Sequence, residues 1–384
     1  MVVDLNKFIS PETKLHIGSN KWVEYKRNLK DKRDKKIVTI TSKSCKKFLT
    51  DINSERILEV INEPTLDSID LSFKKIFPIY KSLKNNGKDI SIIALGGGSV
   101  IDTAKILSLM LGNEIGSSKY AIEKSKSSKL DEKIMIVCAP STAGTGAETT
   151  PFSTIWDKKN GLKYSIITNK MNRTIILDPA LSTSLPKEIT ISSGIDALCQ
   201  ILESTWSKKS DEYSIESASI AYGNLKNNFL KVLKEPNNEE YRLSMLVSSY
   251  LSGRSISISN TTLCHSISYP LTALLGVPHG LACGFTLIET IKFNSEFSDK
   301  LLTNTLTATG HNNSRELISE IESILKYSNI NKYLINHKKN IQQNLDKVLP
   351  LTINRSRSTN NPRIAEFSDI ISIINNSLDR IDDA

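Results

Sequence analysis

Residues 89–111 read DISIIALGGGSVIDTAKILSLML. An apolar run of strand length passes through three glycines directly into a stretch with helical spacing. A strand that turns at once into a helix commits a chain to βαβ units and a parallel sheet. The texture recurs: KIVTITS (36–42) and KIMIVCAPST (133–142) read as further buried strands, and YSIITN and RTIILDP follow them. Beyond DPALSTSLPKEIT (178–190) strand patterns stop and helical spacing takes over. In Ser184-Leu-Pro-Lys-Glu a capping serine and an early proline mark a helix start. The expected fold is an α/β domain with a parallel sheet over 1–185, then an all-α domain over 186–384. The Asn/Ser-rich patches 309–315 and 356–363 read as loops, and the last 85 residues offer little beyond helical packing.

A chain of 384 residues is long enough for two domains with a real core. The formal charge of +9 is spread along the chain, dense only in KRNLKDKRDKK (26–36), and no nucleic-acid-reading motif accompanies it. A solvated lysine-rich surface is the expectation, with no nucleic-acid partner. The first residues, MVVDLNKFISPETK, carry early acids and no apolar core of a secretory leader. No apolar run reaches the ~18 residues of a membrane span. The five cysteines, Cys45, Cys138, Cys199, Cys264 and Cys283, show no CxxC spacing. A reducing, cytoplasmic setting is therefore expected rather than a disulfide framework.

Gly97, Gly98 and Ser99 lie between the strand and the helix of the opening stretch. Glycine lets a backbone approach a ligand closely, and the helix start offers free N–H groups and a positive dipole end. The arrangement suits a pyrophosphate, and it is also what a tight structural turn looks like. It is neither GxGxxG nor a Walker loop. A second small-residue loop, PSTAGTGAETTP (140–151), again follows a strand. Two such loops at the carboxyl ends of strands favour a dinucleotide.

The chain has five histidines, and two of them, His265 and His279, lie inside the apolar stretch TTLCHSISYPLTALLGVPHG (261–280). Upstream, SSGIDALCQILES (192–204) reads as a helix in which Asp196 and Gln200 share a face. One carboxylate, two imidazoles and a polar fourth group suit a divalent transition metal. The competing reading makes both histidines packed core residues with satisfied ring nitrogens.

The motifs GGGSVIDTAK, PSTAGTGAETTPF, DPALSTSLP, GIDAL with LES, CHSISYP and VPHG, in that order over about residues 10–290, resemble the iron-dependent (group III) alcohol dehydrogenases. The resemblance implies a dinucleotide-binding α/β domain, a helical metal-bearing domain and a cleft between them, the architecture shared with dehydroquinate synthases. It implies NADPH or NADH as cofactor, a divalent metal with iron first and zinc or manganese as alternatives, and a homo-oligomer, a dimer. Its metal ligands fall on Asp196, Gln200, His265 and His279. Gln200 stands where the family has histidine, and an amide oxygen is the weaker ligand. Tyr269 stands where the family has a histidine near the nicotinamide. Cofactor contacts fall on Gly97, Gly98, Ser99, Asp102, Ser141, Thr142, Thr145 and Lys163. The ribose-side acid of the family is replaced by Ser42, with Lys43 beside it, so a 2′-phosphate is not repelled and NADPH is accepted.

Within the family, TPFSTIWDKKNGLKYSI (150–166) and SGRSISISNTTLCHSISYPLT (252–272) are similar to the phosphonoacetaldehyde reductases of phosphonate biosynthesis. The implied reaction is metal-assisted hydride transfer that reduces phosphonoacetaldehyde to 2-hydroxyethylphosphonate. A phosphonate needs a cationic or donor-rich receptor. Arg254 is the first candidate, unless it is a plain surface arginine. Thr149, Phe152, Ser257, Thr261 and Thr262 are the other substrate-side candidates. Tyr269 is expected either to hydrogen-bond the substrate oxygen or relay its proton, or to wall the site. The alternatives are a family dehydrogenase for another short-chain or carboxylated aldehyde, a dehydroquinate synthase-like lyase, and a non-catalytic nucleotide-binding protein.

Overall fold

The computed structural model describes residues 5–30, 35–60, 62–296, 298–353 and 355–382. Part of the basic run 26–36 lies outside the described residues. Among the described residues, nine strands occupy the first half: β1 (Thr13–Ile17), β2 (Lys35–Thr41), β3 (Arg56–Glu59), β4 (Asp89–Gly96), β5 (Leu130–Asp131), β6 (Ile136–Pro140), β7 (Phe152–Asp157), β8 (Leu162–Lys170) and β9 (Arg173–Leu177). Six form one parallel sheet in the order β1-β9-β6-β4-β2-β3. Every residue of β6 and β9 is buried, as both faces of a covered parallel sheet require.

The covering helices are α1 (Lys21–Lys30), α2 (Leu66–Asn85), α3 (Gly98–Gly112) and α4 (Ser118–Ser127). Thr65 and Ser68 close a capping box that fixes the start of α2. From Lys187 onward every described element is helical: α5 (Lys187–Trp206), α6 (Glu212–Lys234), α7 (Glu239–Ser259), α8 (Leu263–Leu275), α9 (His279–Phe285), α10 (Leu287–Ser295), α11 (Thr303–Thr309), α12 (Ser314–Ser328), α13 (Asn331–Gln343), α14 (Leu345–Thr352), α15 (Arg355–Ser358) and α16 (Phe367–Asp382).

Local expectations need correction at four places. YSIITN is not in the main sheet; it lies in β8, which pairs antiparallel with β7 in a separate three-stranded sheet, β5-β8-β7. The Lys158-Lys159-Asn160-Gly161 connection is too short for a parallel crossover, so the two strands form a hairpin. Pro186 is the residue before the first turn of α5, not a member of it. Both Asn/Ser-rich patches are partly helical: Thr309 closes α11, Ser314 opens α12, and the patch 356–363 begins in α15.

Beneath the second loop, two buried cations hold the backbone in shape. Lys105, on α3, donates to the carbonyl of Ala147 at 2.9 Å and to Asp102 at 3.0 Å, and also to Phe152 O. Arg173, at the start of β9, donates through Nη1 to Glu148 O at 3.0 Å and Thr150 O at 2.8 Å. Its Nε donates to Glu132 Oε2 at 3.0 Å, and neither side chain of this pair is exposed. Carbonyls that a loop would otherwise leave unpaired are thus satisfied from inside the core.

Candidate active site

Helix α5 presents Asp196 and, seven residues on, Glu203 on one stripe. Glu203 Oε1 accepts from Thr262 N at 3.1 Å and Thr262 Oγ1 at 2.8 Å, where α8 begins. A carboxylate at a helix start is favoured by the free N–H groups and the dipole. Oε2 of Glu203 also pairs with Nδ1 of His265. That contact sets Nδ1 against Glu203 and turns Nε2 toward Asp196, 3.4 Å from Oδ1, where its lone pair could serve a metal once the ring is neutral. His279 opens α9, with Nε2 4.0 Å from the same oxygen. Cys283 follows one turn later on α9.

One donor atom each from Asp196, His265, His279 and Cys283 lies within 4.8 Å of the other three. Asp196 Oδ1 is buried and has no hydrogen-bond partner. Burial alone would raise its carboxyl, yet His265 beside it brings it below the ordinary value. Burial, reinforced by Lys163 and His265, drives His279 down to about 3, so its imidazole is neutral. An orphaned carboxylate oxygen, a neutral imidazole, a second imidazole oriented by Glu203 and a thiol fit a divalent transition metal, whose binding would displace the protons of His265 and Cys283. Gln200 lines the same cleft, but its Oε1 already accepts from Ser252 Oγ at 2.7 Å. Cys283 joins the three charged or imidazole ligands as a further donor, beside Gln200.

The two ligand-bearing helices touch through backbone. A Cβ on Gly280 would lie 1.8 Å from Ser192 O and 3.0 Å from Asp196 Cβ. Only glycine allows α9 to lie this close to α5, and that approach sets the spacing between His279 and Asp196.

The cluster opens into a cleft of about 200 Å³. Of the residues expected at the site, the cleft brings together Gly98, Ser99, Asp102, Thr145, Phe152, Lys163, Gln200, Thr261, His265, Tyr269 and His279. The glycine loop packs against the second loop: a Cβ on Gly98 would meet Thr145 Oγ1 at 2.7 Å, and one on Gly97 would meet Thr142 Oγ1 at 3.1 Å. Gly97 is the N-cap of α3 without a side-chain cap, so the first N–H groups of that helix face the cradle. This arrangement fits the phosphates of a dinucleotide. Ser141 N donates to Gly96 O at 3.0 Å, tying the two loops together. Asp102 braces α3 against β7, accepting from Thr154 N at 3.0 Å. Ser42 follows β2 directly, with Oγ 3.2 Å from Ser44 Oγ.

Tyr269 lies on α8, its ring stacked on His279 at 6.0 Å. Lys163 Nζ sits 4.3 Å from the Tyr269 ring centre. Burial would raise the phenol, but the charges of Lys163, Arg357 and His265 bring it down to about 8.

Four substrate-side expectations do not reach the cleft. Arg254 turns away: Nη1 donates to Ser10 Oγ at 2.9 Å and Nη2 to Tyr213 OH at 3.2 Å. Ser257 bonds back to Gly253 O in its own helix. Thr149 is spent on Gly146 O and Tyr250 O, and Thr262 on Glu203. All four hydrogen-bond within the protein instead.

Residues 12–179 match the family model described as iron-containing alcohol dehydrogenase, and residues 190–378 match that of the Fe-containing alcohol dehydrogenase family, C-terminal. The chain belongs to the iron-containing alcohol dehydrogenase family. Among curated relatives of this family, phosphonoacetaldehyde reductase of Streptomyces viridochromogenes is 33% identical over 207 residues, 53% of this chain and 52% of that protein. Sulfoacetaldehyde reductase of Bilophila wadsworthia is 30% identical over 238 residues, 60% of this chain and 57% of that protein. The chain thus spans about half the length of the curated relatives it matches. The iron-containing alcohol dehydrogenase of Thermotoga maritima superposes with a TM-score of 0.76 at 25% identity, covering 96% of this chain and 98% of that one. Sulfoacetaldehyde reductase of Bifidobacterium kashiwanohense, solved with NAD+, has the same fold: TM-score 0.78, 22% identity, 96% and 98% coverage.

Three site residues escaped the sequence reading. Glu203 and Cys283 had a legible signal, since they follow Asp196 by seven and His279 by four residues, on the same helix faces. Arg357 had none: it lies far from every other cleft residue in sequence, in a patch read as a loop.

Proposed function

We propose that the chain reduces a small aldehyde carrying an anionic group to its primary alcohol at the expense of NADPH or NADH and a proton. Phosphonoacetaldehyde, giving 2-hydroxyethylphosphonate, is the first substrate. The observation that carries this reading is that the donor cluster of His265 and His279 shares one small cleft with the glycine loop at Gly98 and Ser99. A metal bound there supplies a Lewis acid, and a reduced nicotinamide supplies the hydride. Asp196, His265, His279 and Cys283 would hold the metal. Glu203 orients the His265 ring. Gly97, Gly98, Ser99 and Thr145 bind and orient the cofactor's phosphate side. Trp156 and Tyr269, edge to face at 6.3 Å, wall the cleft and exclude water. We place the boundary between the two functional halves near residue 186.

The two sulfoacetaldehyde reductases among the relatives favour a second reading, in which the anionic group is a sulfonate. Steady-state kinetics on phosphonoacetaldehyde, sulfoacetaldehyde and butanal tests both. The proposal expects kcat/KM for one of the charged aldehydes to exceed that for butanal by at least about tenfold, the equivalent of ~1.4 kcal/mol. Equal efficiency on all three contradicts an anionic substrate.

NADPH acceptance rests on Ser42. Ser42→Asp is expected to lower efficiency with NADPH far more than with NADH. At ~4 Å and an effective dielectric near 20, one pair of like charges costs about 4 kcal/mol before screening, and about 1.4 kcal/mol already gives a tenfold change. An unchanged NADPH-to-NADH ratio removes Ser42 from the ribose site.

A further inference from the structure

We propose that Arg357 is the anchor for the anionic group of the substrate. The inference rests on the aldehyde-reductase reading above and names the residue that selects the substrate class. Arg357 enters the cleft from α15 and faces the same space as Gln200, His265, Tyr269 and His279. Its guanidinium carbon lies 5.8 Å from the centre of the Phe152 ring.

The charge balance of the cleft singles it out. The cleft wall holds two carboxylates, and both are compensated: Glu63 pairs with Lys158 at 2.9 Å, and Asp102 with Lys105 at 3.0 Å. It also holds two cations, Lys163 and Arg357, and among the described residues neither has a carboxylate within 4.0 Å. Lys163 stays over the Tyr269 ring, on the side where the cofactor is expected. Arg357 is the cation left for the substrate. A planar guanidinium presents parallel N–H donors that match a tetrahedral oxyanion such as a phosphonate or sulfonate. An uncharged aldehyde leaves that fork unused.

The segment that carries Arg357 is fixed in place. Asn360, 3% exposed, donates through Nδ2 to Ser259 O at 2.8 Å and Thr261 O at 3.2 Å. Asn361, fully buried, donates to Asn294 Oδ1 at 2.7 Å. The first of these contacts grips the chain between α7 and α8, shortly before His265. The anchor and a metal ligand are therefore tied to one piece of backbone, so little ordering remains to be done on binding.

The test compares Arg357→Ala and Arg357→Lys with the parent on phosphonoacetaldehyde, sulfoacetaldehyde and butanal. Arg357→Ala is expected to raise KM for a charged aldehyde by about ten- to a hundredfold, the range of charge-assisted hydrogen bonds, and to leave butanal within about twofold. Arg357→Lys keeps the charge without the fork, and recovers part of the loss. The charged aldehyde with the larger loss is the one the anchor serves. Equal losses on all three substrates would make Arg357 structural and overturn the inference, with the unfolding midpoint of each variant as the check. A parent that prefers a charged aldehyde, combined with an Arg357→Ala variant that retains the preference, overturns the anchor alone. A parent that turns over butanal equally well overturns the anionic-substrate reading itself.

Discussion

Gly280→Ala is expected to remove metal binding and turnover together, although residue 280 contributes no side chain to the site. The added methyl would lie 1.8 Å from Ser192 O, and neither partner of that contact is a side chain that can rotate away. Helix α9 must therefore move off α5 and take His279 and Cys283 with it. Metal ligands tolerate only a few tenths of an ångström, and displacements near 1 Å at a reacting centre cost about a hundredfold in rate. Gly223→Ala is the control, since its Cβ would meet nothing within 4 Å. In the interior of α6 that change stabilises by roughly 0.5–1 kcal/mol. Metal content after gel filtration separates the two variants. A Gly280→Ala protein with a full complement of metal would show that this contact does not set the site.

The second large effect is on stability. Glu132→Ala leaves the guanidinium of Arg173 buried without its counter-ion, in a place where neither side chain is exposed. Breaking a buried pair from one side costs about 3–5 kcal/mol. Denaturant unfolding of the variant reads this directly. Because Arg173 also donates to Glu148 O and Thr150 O, the damage extends to the second loop, and cofactor affinity falls as well. The double variant Glu132→Leu with Arg173→Met removes the stranded charge and recovers part of the stability. It does not restore the donors to the loop, so cofactor affinity stays low. A Glu132→Ala protein within about 0.5 kcal/mol of the parent, the scatter of an ordinary surface substitution, contradicts the role given to the pair.

These two cases also show where sequence reasoning stops. The strand–glycine–helix run 89–111 was legible because hydrophobic period and turn chemistry are local, and it appears as β4 and α3. Asp196, His265 and His279 stood out because polar ligands inside apolar stretches need a reason to be there. The hairpin of β7 and β8 was not legible, since a run such as YSIITN fits either sheet and only its short connection decides. Arg254 attracted the substrate role by its nearness in sequence to His265, but the face of α7 that carries it looks toward Ser10 and Tyr213. Arg357 reaches the cleft through a long-range association that no local pattern encodes. Cys283, one helical turn from His279, was passed over for a different reason: the cysteines were weighed only for CxxC or disulfide spacing.

The central claim is that Asp196, His265, His279 and Cys283 hold a metal that the reduction of an aldehyde requires. It is tested most directly by following oxidation of NADPH and NADH with phosphonoacetaldehyde, before and after the protein is stripped with a chelator. Turnover is expected in the metal-replete protein, with its loss on stripping and its return when ferrous iron or zinc is added back. Undiminished turnover by the stripped protein would contradict the claim.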